Sequence, residues 1–136
     1  MRWRAAGQGG RNKYRARAQW VCPQCLVSVG SASAQLPCGH QGKPIYFHST
    51  GELRRYAELV ALEEAGEISG LTRQRRFDLD VNGVHVCRYT ADFSYTDSSG
   101  TEVIEDYKGV DTTDSKLRRK LLYALTGIEV LVTRAR

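Results

Sequence analysis

The sequence predicts a mixed α/β fold preceded by a small metal-binding module. Three observations carry that reading. A helical apolar stripe gives way, near residue 66, to alternating segments joined by turn signals. A second helical stripe and a last strand close the chain. Three cysteines and a histidine crowd into a short stretch near the N-terminus. With 136 residues, 41% of them hydrophobic, the chain has the size of one domain with one small core. Its 26% of charged residues is not the profile of a low-hydrophobicity disordered chain. No apolar run is long enough to cross a bilayer, and the first twenty residues hold no apolar stretch of the kind a secretory signal needs. A cytoplasmic protein without a membrane partner is therefore expected.

Residues 1–12 read as a flexible basic arm, and residues 1–20 carry six positive charges and no acid. The net charge of +5 favours an anionic partner. It is unevenly spread: residues 101–114 carry five acids and one lysine, residues 115–136 six positives and one acid. An acidic patch between two basic ends suits a metal site flanked by phosphate-binding surfaces. The plainer reading is a solvated surface with a basic tail.

Residues 13–47 read as a zinc-knuckle module. The pattern is Cys22-Pro23-Gln24-Cys25, a twelve-residue spacer, then Cys38-Gly39-His40. Two tight turns, each offering two ligands, are what a closed tetrahedral zinc site needs. Pro23 and Gly39 suit those turns. Cys22, Cys25, Cys38 and His40 are the expected ligands of a structural Zn2+, with His48 as a substitute. The alternative is incidental thiols and a surface histidine. Cys87 lies in an alternating stretch and reads as an ordinary strand residue. Without an export signal a disulfide framework is not expected.

Residues 48–136 read as the α/β core. Ser49-Thr50-Gly51-Glu52 fits a capping box and opens a helix over 49–65. Leu53, Tyr56, Ala57 and Val60 follow at helical spacing, Leu59 and Leu62 widen the stripe, and Gly66 stops it. Phe77, Leu79 and Val81 then alternate with Arg76, Asp78 and Asp80, which predicts a strand over 76–81. Asn82-Gly83 is a hairpin turn. A strand over 84–96 follows, then the turn Asp97-Ser98-Ser99-Gly100, then a strand over 102–108. A helix starts between Asp111 and Asp114, carries Leu117, Leu121, Ala124 and Leu125 as its apolar stripe, and ends at Gly127. A last strand is expected over 128–132.

The residues richest in chemistry are Asp92 and Glu105-Asp106-Tyr107-Lys108. Alternation puts Asp106 and Lys108 on one face of their strand and Glu105 on the other. If residues 98–100 form a three-residue hairpin loop, Asp97 pairs with Thr101 and Asp92 lies opposite Asp106, with Cβ atoms about 4.5–5.5 Å apart. A four-residue loop would bring Glu105 there instead. Two carboxylates that close repel each other unless a cation lies between them. A hard divalent cation with a lysine alongside is a working set for phosphodiester hydrolysis. The plainer reading is a polar edge hairpin with a surface Asp/Lys pair.

Asp92 with Asp106-Tyr107-Lys108 resembles the PD-(D/E)XK nuclease signature. Phe47-His48-Ser49-Thr50-Gly51-Glu52, then Gly66-Glu67-Ile68, Leu71, Gln74 and Phe77, then Ala91-Asp92-Phe93-Ser94-Tyr95, then Ile104-Glu105-Asp106-Tyr107-Lys108-Gly109 together resemble a group of small phage-encoded proteins. That group is similar to phage endonuclease I, a Holliday-junction-resolving enzyme. The resemblance covers about residues 11–16 and 47–133 and implies an αβββαβ nuclease core over residues 48–136. It implies that Asp92 and Asp106 bind the metal, with the carbonyl of Tyr107 and the helix acid Glu52 completing the shell. It implies that Lys108 positions the attacking water. Gln74 matches a recurring glutamine, and Lys116, Arg119 and Lys120 occupy a helix where such folds hold substrate phosphate. Two departures stand out. Ala91 replaces the proline of the signature, and the zinc knuckles read as an insertion outside the core. Glu52 is equally well explained by its capping role.

The expected function is thus a metal-dependent DNA endonuclease selective for branched DNA, leaving a 5′-phosphate. It would use Mg2+ (or Mn2+) for catalysis and Zn2+ for structure, in a phage-infected or prophage-bearing bacterial cell. Arg11, Lys13, Arg15, Arg17, Gln74, Lys116, Arg119 and Lys120 are the expected DNA contacts. Trp3 and Trp20 are candidates for stacking on unpaired bases, with packing beside the zinc knuckle as the competing role of Trp20. Cutting two strands of a junction suits a homodimer. The competing function is a zinc-ribbon nucleic-acid-binding protein without catalysis, and a weaker one is an adaptor domain of a larger machine.

Overall fold

The structure, a computed structural model, describes residues 17–134. The basic arm, with Trp3, Arg11, Lys13 and Arg15, lies outside the described residues. The elements are β1 (Gln19–Val21), β2 (Ser28–Val29), β3 (Ile45–Phe47), α1 (Thr50–Glu64), β4 (Ser69–Val81), β5 (Val84–Thr96), β6 (Glu102–Lys108), α2 (Thr113–Thr126) and β7 (Val130–Arg134). The chain forms two compact units, Met1–Leu53 and Arg54–Arg136, with the boundary inside α1. Among the described residues no helix is long and apolar enough to cross a membrane.

In the first unit β1 sits between β2 and β3 in a small antiparallel sheet. Trp20 packs its ring on Tyr46 at 5.0 Å. Ser49 caps α1 by accepting from the backbone N–H of Glu52 at 3.0 Å. The Glu52 carboxylate reaches back to the N–H of His48 at 3.3 Å. That is one residue beyond the reciprocal bond of the capping box.

The second unit is a mixed sheet in the order β4-β5-β6-β7. β4, β5 and β6 are antiparallel neighbours. β6, α2 and β7 form a crossover that returns the chain parallel to β6. Thr112 caps α2, its hydroxyl accepting from the N–H of Ser115 at 3.2 Å. Gly127 ends the helix at φ 76°, a left-handed conformation that favours glycine. Leu122 of α2 inserts among Leu79, Tyr89, Ala91 and Ile104. Tyr56 of α1 stacks on Phe93 at 6.0 Å.

The strands over 84–96 and 102–108 and both helices form where the sequence predicts them, within a residue or two. β4 begins seven residues earlier than the alternation at residue 76 suggests. β7 is displaced by two residues from the expected 128–132. The stripe of α2 differs more. Leu122 is its buried residue, whereas Leu117 is 64% and Leu125 42% exposed. Leu121, Leu122 and Leu125 belong to neighbouring lines on one helix, and only docking decides which line is covered.

Candidate functional site

The first unit carries a four-ligand cluster. Among the described residues, Cys22, Cys25, Cys38 and His40 are the one group of three or more Cys, His, Asp or Glu whose ligand atoms converge, all within 4.8 Å of one another. Tetrahedral ligands about 2.3 Å from a shared zinc are about 3.8 Å apart, so the cluster can hold zinc with small adjustments. His48 is not part of it and packs edge-on to Tyr46 at 5.0 Å. The knuckles form as the sequence suggests. The N–H of Leu26 bonds to the carbonyl of Cys22 at 2.9 Å, and Gly39 adopts φ 74°. Cys22 Sγ lies 3.5 Å from His40 Nδ1 and accepts from the N–H of Gln24 at 3.4 Å. Burial pushes the Cys22 thiol up. The N–H groups of Cys25 and Gln24, with the Cys38 and His40 side chains, outweigh burial and bring it down to about 6. A thiol that ionises this readily is a good metal ligand.

The second unit carries the carboxylates. Gly100 closes the hairpin between β5 and β6, and the N–H of Asp97 bonds to the carbonyl of Thr101 at 2.9 Å, so the loop is residues 98–100. The ladder then runs Thr96↔Glu102 to Phe93↔Glu105. The paired ladder ends there, with Asp92 and Asp106 just beyond it, and the loop is the three-residue alternative of the sequence reading. The Asp92 carboxylate accepts from the N–H of Tyr107 at 2.8 Å. Lys108 Nζ lies 2.8 Å from Asp106 Oδ2. Asp106 is 1% exposed and Lys108 24% exposed at its side chain. The set lies at the C-terminal end of β6 beside a parallel neighbour, the end at which α/β sheets usually bind ligands.

One partner of this set escapes sequence reading. Tyr89 donates its hydroxyl to Asp106 Oδ2 at 2.7 Å. Burial first, then the Asp106 charge, pushes the Tyr89 phenol far above its usual range, so it stays a donor. Tyr95, of the same parity along β5, bonds instead to Glu105 at 2.8 Å. Asp106 and Glu105 are adjacent residues facing opposite ways, so the alternation of β5 breaks between Tyr89 and Tyr95. The contacts of Ala91 with the α2-side core and of Phe93 with Tyr56 locate the break at Asp92. Gln74 lies level with Asp92, between the pairs Arg73↔Phe93 and Arg75↔Ala91, and has φ 54°. Such irregularities re-aim a side chain and cluster near functional sites. A strict period of two cannot reveal one.

Arg119, a DNA contact expected from the sequence, bonds Asp111 at 2.7 Å, and its charge is felt by Tyr89 and Asp106. Lys116, Arg119 and Lys120 line one groove between α2 and β7. Arg17 and Gln74 stand elsewhere, Arg17 exposed and Gln74 half-buried. Glu105 has a different task. It is fully buried and holds Arg55 through two bonds at 2.6 and 3.1 Å, with Tyr95 and Thr133 donating to it as well. Glu52 is buried in the first unit and held by its local cap.

The family DUF1064, described as a protein of unknown function, matches residues 41–131. No curated protein and no solved structure matches the chain.

Proposed function

This chain belongs to the DUF1064 family, and from that premise we propose that it is a metal-dependent DNA endonuclease of the PD-(D/E)XK type. The observation that carries the reading is Asp106, held at the C-terminal end of β6 between Lys108 and Tyr89, with the Asp92 carboxylate bonded to the N–H of the next residue, Tyr107. Asp92 and Asp106 are the residues that would hold Mg2+ or Mn2+, which when bound supplies Lewis acidity at the scissile phosphate. Lys108 orients the attacking water and offsets the growing charge on the phosphate oxygens. Tyr89 is a positioning residue, fixing the rotamer of Asp106 with a proton it does not release. Arg119, Lys116 and Lys120 hold the flanking phosphates. Branched DNA is the favoured substrate, and two centres in a homodimer would cut both of its strands. The Cys3His cluster holds structural zinc.

The test is cleavage of a four-way junction and a matched linear duplex with and without Mg2+. We expect Mg2+-dependent cutting that falls about 100-fold or more in Asp106→Asn and in Lys108→Ala. Asp106→Asn keeps an acceptor for Tyr89 and should melt near wild type, whereas Lys108→Ala leaves the buried Asp106 carboxylate without its cation and should melt lower. Glu52→Gln keeps an acceptor for the capping bond and removes the charge: lost cutting with unchanged melting marks a metal ligand, and wild-type cutting leaves the residue as a cap alone. A second reading, a zinc-dependent nucleic-acid-binding protein without catalysis, is favoured by the cysteine cluster and the basic groove, which stand without the carboxylates. Tight, salt-sensitive binding with no cutting of either substrate would replace the first reading with the second.

A further inference from the structure

The groove between α2 and β7 has a volume of about 550 Å3, enough for a nucleotide or two. Its α2 wall carries Lys116, Arg119, Lys120 and Tyr123, spaced three, four and seven residues apart and so lying on one helix face. Its other wall is Ile128, Glu129 and Val130, from the Gly127 turn into β7. The two halves differ in chemistry. The first turns of the helix present cations, two of them on exposed side chains. The last turn and the turn after it present an aromatic ring and two aliphatic side chains. Tyr123 is 59% exposed, a large ring left on the surface of a groove.

We propose that this groove binds an unpaired nucleotide of single-stranded DNA, its phosphate at Lys116 and Lys120 and its base stacked on Tyr123 against Ile128 and Val130. The proposal deepens the nuclease reading and rests on it for the identity of the polymer. Arg119 lines the groove and is held there by Asp111 at 2.7 Å and Ser115 at 3.1 Å, which fixes its guanidinium. From Arg119 to Tyr123 the helix rises about 6 Å, a distance one extended nucleotide spans. Glu129 repels a phosphate from the aromatic end, so the strand enters with its backbone on the lysines. A duplex keeps its bases stacked and offers no free face to Tyr123, so the groove selects unpaired ends.

The test measures the affinity of the full chain for a fluorescent ten-thymidine strand and for a blunt-ended linear duplex, without added Mg2+. Tyr123 is exposed, so its variants should fold. Stacking on one base predicts at least about fivefold weaker single-strand binding in Tyr123→Ala, with duplex binding within twofold of wild type. Tyr123→Phe should bind like wild type, because the ring face is kept. Lys116→Ala with Lys120→Ala should weaken single-strand binding and flatten its salt dependence. Wild-type single-strand affinity in Tyr123→Ala overturns the proposal, and so does equal loss of both ligands in Tyr123→Ala and Tyr123→Phe. Cutting is scored separately. A wild type that does not cut but shows Tyr123-dependent binding ends the nuclease reading and keeps the groove. One that cuts while Tyr123→Ala binds normally ends the groove alone.

Discussion

Glu105 is the most deeply committed charge in the second unit. It is fully buried, and its two oxygens receive Arg55, Tyr95 and Thr133. The Glu105 carboxylate raises the Arg55 guanidinium above its usual range, chiefly through the hydrogen bond between them. A buried pair of this kind contributes little over an apolar replacement, but breaking it strands a charge. Arg55→Met should therefore cost about 3–5 kcal/mol of stability in denaturant titration, and adding Glu105→Leu should recover part of it. A cost below about 1 kcal/mol in the single variant would mean that Glu105 is solvated in solution. The sequence distinguishes Glu105 from Asp106 only by strand parity. Parity suffices to put them on opposite faces, but not to say that one is paired with Arg55 fifty residues away.

At the scale of elements, the hairpin of β5 and β6 and the cap of α2 are written locally. Asp97 accepts from Ser99 and Thr101 through one oxygen at 2.6–3.0 Å, which closes the three-residue loop and sets the register. The knuckles are equally local, but their sheet is small: β1 and β3 have three residues each and β2 has two. Strands that short are not stable alone. We expect the first unit to depend on zinc. A strong chelator should release about one zinc per chain, measured colorimetrically, and broaden the amide resonances of residues 19–47 while those of β4 to β7 persist. Intact resonances of β1 to β3 after metal removal would show that packing alone holds this unit. Cys22→Ser should do what the chelator does.

Across the second unit as a whole, acid stability turns on Asp111. Arg119 beside it holds its carboxyl below the usual 3.8, with burial opposing and the Arg119 charge adding. Asp111 also lies 3.8 Å from Arg134 at the end of β7, so it ties β7 to the start of α2. A folded-state value below the unfolded one contributes stability above about pH 4 that fades as pH falls through the folded value. Thermal melts between pH 2 and 6 should show wild type losing stability more steeply below pH 4 than Asp111→Asn. Parallel curves would mean the pair is no tighter folded than unfolded.

Most of the order of elements is legible in the sequence because its signals are local. Asn82-Gly83, Asp97-Gly100, Thr112 and Gly127 each specify a turn or cap within a few residues. The Cys22 to His40 spacing specifies a ligand cluster in the same way. The length of the β5–β6 loop was narrowed by the sequence to two alternatives, and the bond from Asp97 to Thr101 resolved it as three residues. What only tertiary structure decided depends on residues distant in the chain. The break in alternation at Asp92 and the capture of Asp106 by Tyr89 depend on how β5 bends across β4 and β6. The burial of Leu122 rather than Leu117 depends on how α2 docks. The groove at Tyr123 exists only because β7 returns parallel to β6. Local patterns encode φ, ψ and periodicity, whereas docking angles and long-range pairings are set by packing that no window of the sequence contains.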